Sequence, residues 1–568
     1  MIQDEILIFK DFCYRNRHAI CAAFICLVTF FLAHPYKGLD GDAVLYLLNV
    51  IQSWYPERFV GDLAFIGGSQ DSFSLFSYLY KPAIRIFGVH DAALLISATS
   101  LLFWGIAVAL LIKAINKKWT AAIFIFLASF ELSYGPTNWL RFGEFLCTSR
   151  TLTEALAILG FLFLFKNQKK KAFALFFAGT LMHPLIAGWG LLIWSFVYYP
   201  KTVIPVGLFS LFFPLTVFIG KLPFAAFDPV WADAAKEFAW NPYKMGRAAA
   251  YFAIVFCASR IFFQAQRKMW NGILITALIA YYWTFAGVFL KHVFLTQVQP
   301  WRAEWILMLF SLIFTGHTFL TALQWKHFKK IFKLQPVLLS VIGLAAIYLV
   351  FFNLHGQQNL LKYNGGITSL FYTCPRLSLF LLSFAACLVL KLSKWKLIVY
   401  AYALGLAAFA VYLTPSADFE SSEASRQLDI FLKEKEAPFA QSVRGDYAHL
   451  LYAMPQMTER VFWATGSYYG TNSFYSMSEE RFSTTRRRIA KILNEQDVLT
   501  KPFVYPYSWS HVSLLFDNPQ KLKNTAKRLL ETGEVRYIVS SDTAFFGHPK
   551  KDSLYLQAFG KSAYLYTK

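Results

Sequence analysis

The chain has 568 residues, enough for several soluble domains, but 57% of them are hydrophobic, 18% aromatic and only 15% charged, and long uncharged runs recur throughout. That pattern excludes an ordinary soluble enzyme and points to a polytopic membrane protein with a water-soluble tail. The net charge of +22 raises nucleic acid as a partner, but eighteen basic residues fall in six short, acid-free clusters between apolar runs, and such clusters mark the cytoplasmic face of a membrane protein.

The first apolar run, residues 19–33, is followed by no small-residue cleavage site and by a dozen further apolar runs. It is expected to stay in place as a transmembrane helix over about 18–34. With the N-terminal tail in the cytoplasm, that helix delivers the chain to the outer face, where a loop runs over 35–90. The loop carries Asp40-Gly41-Asp42 and then two amphipathic stretches, Ala43 to Trp54 and Phe73 to Gly88. Two carboxylates at the mouth of a helix can supply a general base if an acceptor hydroxyl comes within hydrogen-bond reach, and partial desolvation tunes such a group toward the working pH. Plain structure also fits them: Asp42 is a good N-cap for the helix from Ala43, and Asp40-Gly41 is ordinary turn chemistry.

Helices are expected at 91–112, 119–134 and about 150–165. The loop before the last of these carries Arg141, Glu144 and Arg150. Arginine suits phosphate because its planar fork donates two parallel hydrogen bonds and stays charged; interfacial snorkelling and a charge at the start of a helix are the alternatives. The stretch from Ala172 to Tyr199 holds His183-Pro184. One long helix there would put the later basic clusters outside, whereas two passes, or a re-entrant hairpin turning at His183-Pro184, keep every cluster inside. Proline cannot continue the preceding helical hydrogen bonding without a kink, so the hairpin is expected. Its half-helices are short for a bilayer of about 30 Å and should pack among neighbours. His183, at its tip, is a candidate contact for a phosphate or hydroxyl.

Helices at about 203–219, 247–264, 271–290, 303–324, 336–352, 374–390 and 397–413 bring the count to about thirteen crossings. At the start of one of them, Gln297 to Glu304 places Arg302 and Glu304 directly in an apolar run, where ionisable groups are costly unless paired or useful. Arg302 is read as a phosphate contact in preference to an Arg302–Glu304 pair, since residues two apart on a helix do not face each other. Of the sixteen acids before residue 414, three are in the N-terminal tail and the other thirteen fall in outer loops or at outer helix ends. Carboxylate chemistry is therefore expected on the outer face.

Residues 414–568 lose the long apolar runs and gain charge. They read as a small α/β domain outside the membrane, with helices from Ser476 to about Asn494 and from Asn518 to about Thr532. Its strands are expected at Phe439–Val443, His511–Phe516, Val535–Ser540 and Ala563–Tyr566. The expected fold is thus an α-helical transmembrane domain over 1–413 and an extracytoplasmic α/β domain over 414–568. Seven cysteines without a Cys-x-x-Cys or Cys/His ligand spacing give no disulfide framework or structural zinc site, and no phosphate-loop or zinc-protease motif occurs.

With its acidic turn after the first helix (Asp40, Asp42), its long first outer loop with amphipathic segments, its many crossings and its outer C-terminal domain, the chain resembles the GT-C superfamily of integral membrane glycosyltransferases. The resemblance implies a sugar donor linked to polyprenyl phosphate or diphosphate and an acidic residue of the first outer loop acting as base or metal-linked site. Carried over, Asp42 in Asp42-Ala43-Val44-Leu45-Tyr46 is the base and Asp40 assists, although many members have two adjacent acids where Gly41 intervenes here. Arg302, Arg141, Arg150 and His183 are then the candidate contacts for the donor phosphate, membrane lipids surround the protein, and a divalent metal, the sugar and the acceptor stay open. The compartment is a membrane with the N-terminus in the cytoplasm, the cell inner membrane if the source is bacterial. A lipid-linked polysaccharide polymerase or ligase would depend on the outer arginines and tolerate loss of Asp42. A transporter would show paired broken helices in two related halves, and only one break is visible.

Overall fold

The computed structural model describes residues 20–31, 36, 42–54, 56, 73–128, 133–135, 140–221, 223–225, 242–322 and 336–345, and in the tail 531, 537–540, 555–558 and 561–567. These residues are mostly helical. Among the described residues, five helices are long and apolar enough to cross a membrane: Asp91–Ile115, Pro200–Ile219, Met245–Phe262, Gln264–Phe289 and Val293–Ala322. The crossings expected at 374–390 and 397–413, and with them the full count of thirteen, lie outside the described residues.

Helix α1 spans Ile20–Phe31 and α2 spans Asp42–Trp54. The second amphipathic stretch of the first loop and the crossing after it form one element, α3 (Phe76–Ile115), bent at Gly88, whose φ of +79° suits a residue without a β-carbon. Helix α4 is described over Thr120–Ala128. The expected helix to residue 134 ends early because Ser133–Tyr134 (β1) pairs antiparallel with Leu140–Arg141 (β2). Gly135, at φ +81°, ends β1 ahead of Pro136.

Helix α5 (Ser149–Phe165) leads into the expected hairpin, α6 (Lys169–Met182) and α7 (Pro184–Tyr198), broken where proline requires it. Pro184 holds His183 extended, at φ −156° and ψ 96°, and is itself suited to the first position of α7. The two arms return along each other. Trp194 Nε1–H donates to the Lys169 carbonyl at 3.0 Å, and Lys169 Nζ donates to the Tyr199 hydroxyl at 2.8 Å. Small residues permit this closeness: a β-carbon on Gly190 would lie 2.2 Å from the Phe176 ring, and one on Gly160 of α5 would lie 2.6 Å from it. Phe176 therefore fills a slot that two absent side chains leave open.

The remaining described helices are α8 (Val203–Phe212), α9 (Pro242–Phe262), α10 (Arg267–Phe289), the short α11 (Val293–Val298), α12 (Glu304–Ala322) and α13 (Pro336–Ala345). One apolar core joins α1, α3 to α7, α9, α10, α12 and α13, with Trp104, Trp270 and Trp305 fully buried. Along it the chain has two chemically different ends. At one, Asn116 and His317 share a 2.8 Å hydrogen bond, the His317 ring packs on Phe262 and Phe263, and Phe165 meets Trp270. The basic clusters at Lys113–Lys118, Lys166–Lys171 and Arg260–Lys268 adjoin these residues in sequence. At the other end lie the hairpin tip, the β1–β2 pair and the start of α12.

In the tail, three antiparallel strands run in the order β3-β5-β4, with β3 at Tyr537–Ser540, β4 at Tyr555–Ala558 and β5 at Lys561–Thr567. Two of them match expected strands. Tyr555–Ala558 was not expected, being a four-residue run without a β-branched residue. The strands expected at Phe439–Val443 and His511–Phe516 and the helix from Ser476 lie outside the described residues, as does the helix from Asn518 apart from Glu531.

Candidate functional site

Contacts from the first loop converge on the hairpin tip. Helix α2, which opens at Asp42, docks through Tyr46: its hydroxyl and Ser149 Oγ are 2.8 Å apart, and its ring meets Phe76, the first residue of α3, edge to face. The residues just before α3 in turn hold the hairpin. Leu75 N–H donates to the Leu181 carbonyl at 3.0 Å, and Ser74 Oγ donates to the Met182 carbonyl at 2.6 Å. Two packed contacts thus lead from the helix of the acidic turn to His183. The side chain of Asp42, and Asp40 altogether, lie outside the described residues.

His183 meets Arg302 there. Arg302 Nη1 lies 3.2 Å from His183 Nε2, while Arg302 Nε donates to Gln299 Oε1 at 2.6 Å and the guanidinium lies over the Trp301 ring. Sequence reading named Arg302 and His183 separately, 119 residues apart, and the fold brings them together. A guanidinium can only donate, so Nε2 is the acceptor and the proton of the neutral ring sits on Nδ1. Burial first, then the positive charges of Arg302 and Arg150, lower the pKa of this histidine and keep the ring neutral. Its Nδ1 is buried with no hydrogen-bond partner among the described residues. The turn before Arg302 is strained: Gln299, a residue with a β-carbon, takes the left-handed conformation at φ 49° and ψ 61°.

The other arginines differ in setting. Arg141 sits partly buried on β2, opposite Ser133. Arg150 is almost fully buried and grips Glu144 with its fork, Nε to Oε1 at 2.7 Å and Nη2 to Oε2 at 3.0 Å, and Thr148 Oγ1 adds a 2.6 Å bond to Oε1. Glu304 pairs with Arg247 and not with Arg302. Arg247 was missed from sequence; its one signal was a basic residue, three after Lys244, at the entry of an apolar helix. Glu154, fully buried, is held by Trp104 Nε1–H and Gly143 N–H at 3.0 Å each, and the Tyr134 hydroxyl donates to it at 3.3 Å. Three buried glutamates thus tie Tyr134, Gly135 and the segment 143–148 to α3, α5, α9 and α12.

Chemically, the tip offers a permanent cation, a buried ring N–H donor and a hydrogen-bonding amide, a set that suits a phosphoryl oxygen. Among the described residues, no three His, Cys, Asp or Glu side chains gather as a metal ligand set. No family model, curated protein or solved structure matches the chain.

Proposed function

We propose that the chain is a polytopic membrane glycosyltransferase of the GT-C kind, moving a sugar from a polyprenyl-phosphate-linked donor to an acceptor on the extracytoplasmic face. Arg302 donates to a phosphate oxygen and His183 Nδ1–H to another. Asp42, assisted by Asp40, takes the acceptor hydroxyl proton as that oxygen bonds to the anomeric carbon. The bond from that carbon to the phosphate oxygen breaks, and the lipid phosphate departs. In this reading the chain crosses about thirteen times, with residues 414–568 outside. The observation that carries it is the Arg302–His183 contact at a hairpin tip to which the helix opening at Asp42 is tied.

Arg302→Ala tests it, read by thin-layer assay of lipid-linked sugar consumption and by direct donor binding. A hydrogen bond to a charged partner contributes about 1.5 to 3 kcal/mol, so donor affinity should fall roughly ten- to hundredfold. Unchanged affinity in a folded Arg302→Ala protein would remove Arg302 from the site. Orientation is tested separately. Cysteines introduced at Lys169 and Lys329 should label only from the cytoplasm and one at Lys521 only from outside; labelling of Lys169 and Lys329 from opposite sides would overturn the assignment of the active face.

A further inference from the structure

We infer that Arg247 is a positioning residue for the donor site: through Glu304 and Gly135 it fixes the turn that aims Arg302 at His183. This rests on the reading of Arg302 as the phosphate contact. Arg247 Nε and Nη2 both lie 3.0 Å from Glu304 Oε1, and Nη2 also donates to the Gly135 carbonyl at 3.2 Å. Gly135 N–H in turn donates to Glu304 Oε2 at 3.1 Å. Both backbone polar groups of Gly135 and both oxygens of Glu304 are therefore engaged, and the circuit of three residues closes on itself.

The circuit surrounds Arg302 on the chain. Two residues after it stands Glu304, held by Arg247. Immediately before it stands Trp301, whose ring lies against Gly135 so tightly that a β-carbon there would come within 2.2 Å. The segment Trp301 to Glu304 is thus tied at both ends to one glycine, and Arg247 is the group that spans from that glycine to the far tie. Arg247 and Glu304 are 2% and 5% exposed, so water does not compete for these bonds. Charge alone would not achieve this, since a lysine keeps the charge but loses the fixed fork that serves two acceptors at once.

Arg247→Lys keeps Glu304 compensated while breaking the fork, and Gly135→Ala keeps both charges while displacing Trp301. The readouts are donor KM and kcat, and the ¹⁵N resonances of His183 in histidine-labelled full-length protein, assigned by loss in His183→Gln. The wild type should show an unprotonated Nε2 accepting from Arg302, and Arg302→Ala should lose that signature. In both positioning variants, the His183 signature should move toward that of Arg302→Ala, with KM raised about tenfold, the equivalent of one charge-assisted hydrogen bond, and kcat largely kept. A purely structural Arg247 would instead lower thermal stability and leave KM and the His183 resonances at wild-type values, which would overturn the inference. Should Arg247→Lys not accumulate, the Arg247→Gln/Glu304→Gln double variant buries amides in place of charges and is read the same way. If Arg302→Ala itself binds donor normally, the functional reading fails, and the His183 resonances still decide the positioning role on their own.

Discussion

Replacing Asp42 by asparagine should abolish sugar transfer while donor binding survives. Asparagine caps a helix about as well as aspartate, so α2 should still open at residue 42 and still carry Tyr46 to Ser149 and Phe76. What asparagine cannot do is accept a proton, and a positioned general base contributes about 10² to 10⁴ in rate. Asp42→Ala should abolish transfer equally, with some added loss of stability. If Asp42 were only a cap, the order would change: asparagine would retain activity, and alanine would cost about 1 kcal/mol of local stability. The same pair of substitutions at Asp40 tells which carboxylate takes the proton. Substantial transfer by both asparagine variants would remove the acidic turn from the chemistry and favour the arginine-dependent polymerase or ligase.

Sequence carried the hairpin and the two first-loop helices because each has a local cause. Proline at 184 removes a backbone donor and crowds the preceding turn, and the apolar spacing of Ala43 to Trp54 needs no partner to be recognised. What sequence could not carry was pairing across distance. Arg302 and His183 are chemically suited to one ligand, but nothing local brings residues 119 apart together. The Arg247–Glu304 pair spans 57 residues and depends on Gly135 from a third segment. The overrun of the helix expected over 119–134 has the same origin: β1 and β2 are two residues each, too short for an alternating pattern, and are defined only by their partner. Arg150 and Glu144 lie closer in sequence, but they join across a loop, where the i, i+4 rule for helices does not apply.

That buried pair gives the largest expected change in stability. Glu144→Ala removes the carboxylate that the Arg150 fork grips, a guanidinium only 4% exposed, and the acceptor of Thr148 Oγ1 as well. Breaking a buried pair on one side costs about 3 to 5 kcal/mol, whereas replacing both partners with apolar residues of similar volume is often neutral. Thermal unfolding of the purified protein in detergent should therefore show Glu144→Ala strongly destabilised and Arg150→Met/Glu144→Leu close to wild type. The double variant also decides what Arg150 does for the donor. If its fork serves Glu144 alone, the double variant should bind donor like the wild type, in contrast to Arg302→Ala. If donor binding falls in the double variant as far as in Arg302→Ala, Arg150 must release Glu144 on binding and contact the phosphate itself, and Glu144 is then the group that keeps a buried cation compensated until the ligand arrives.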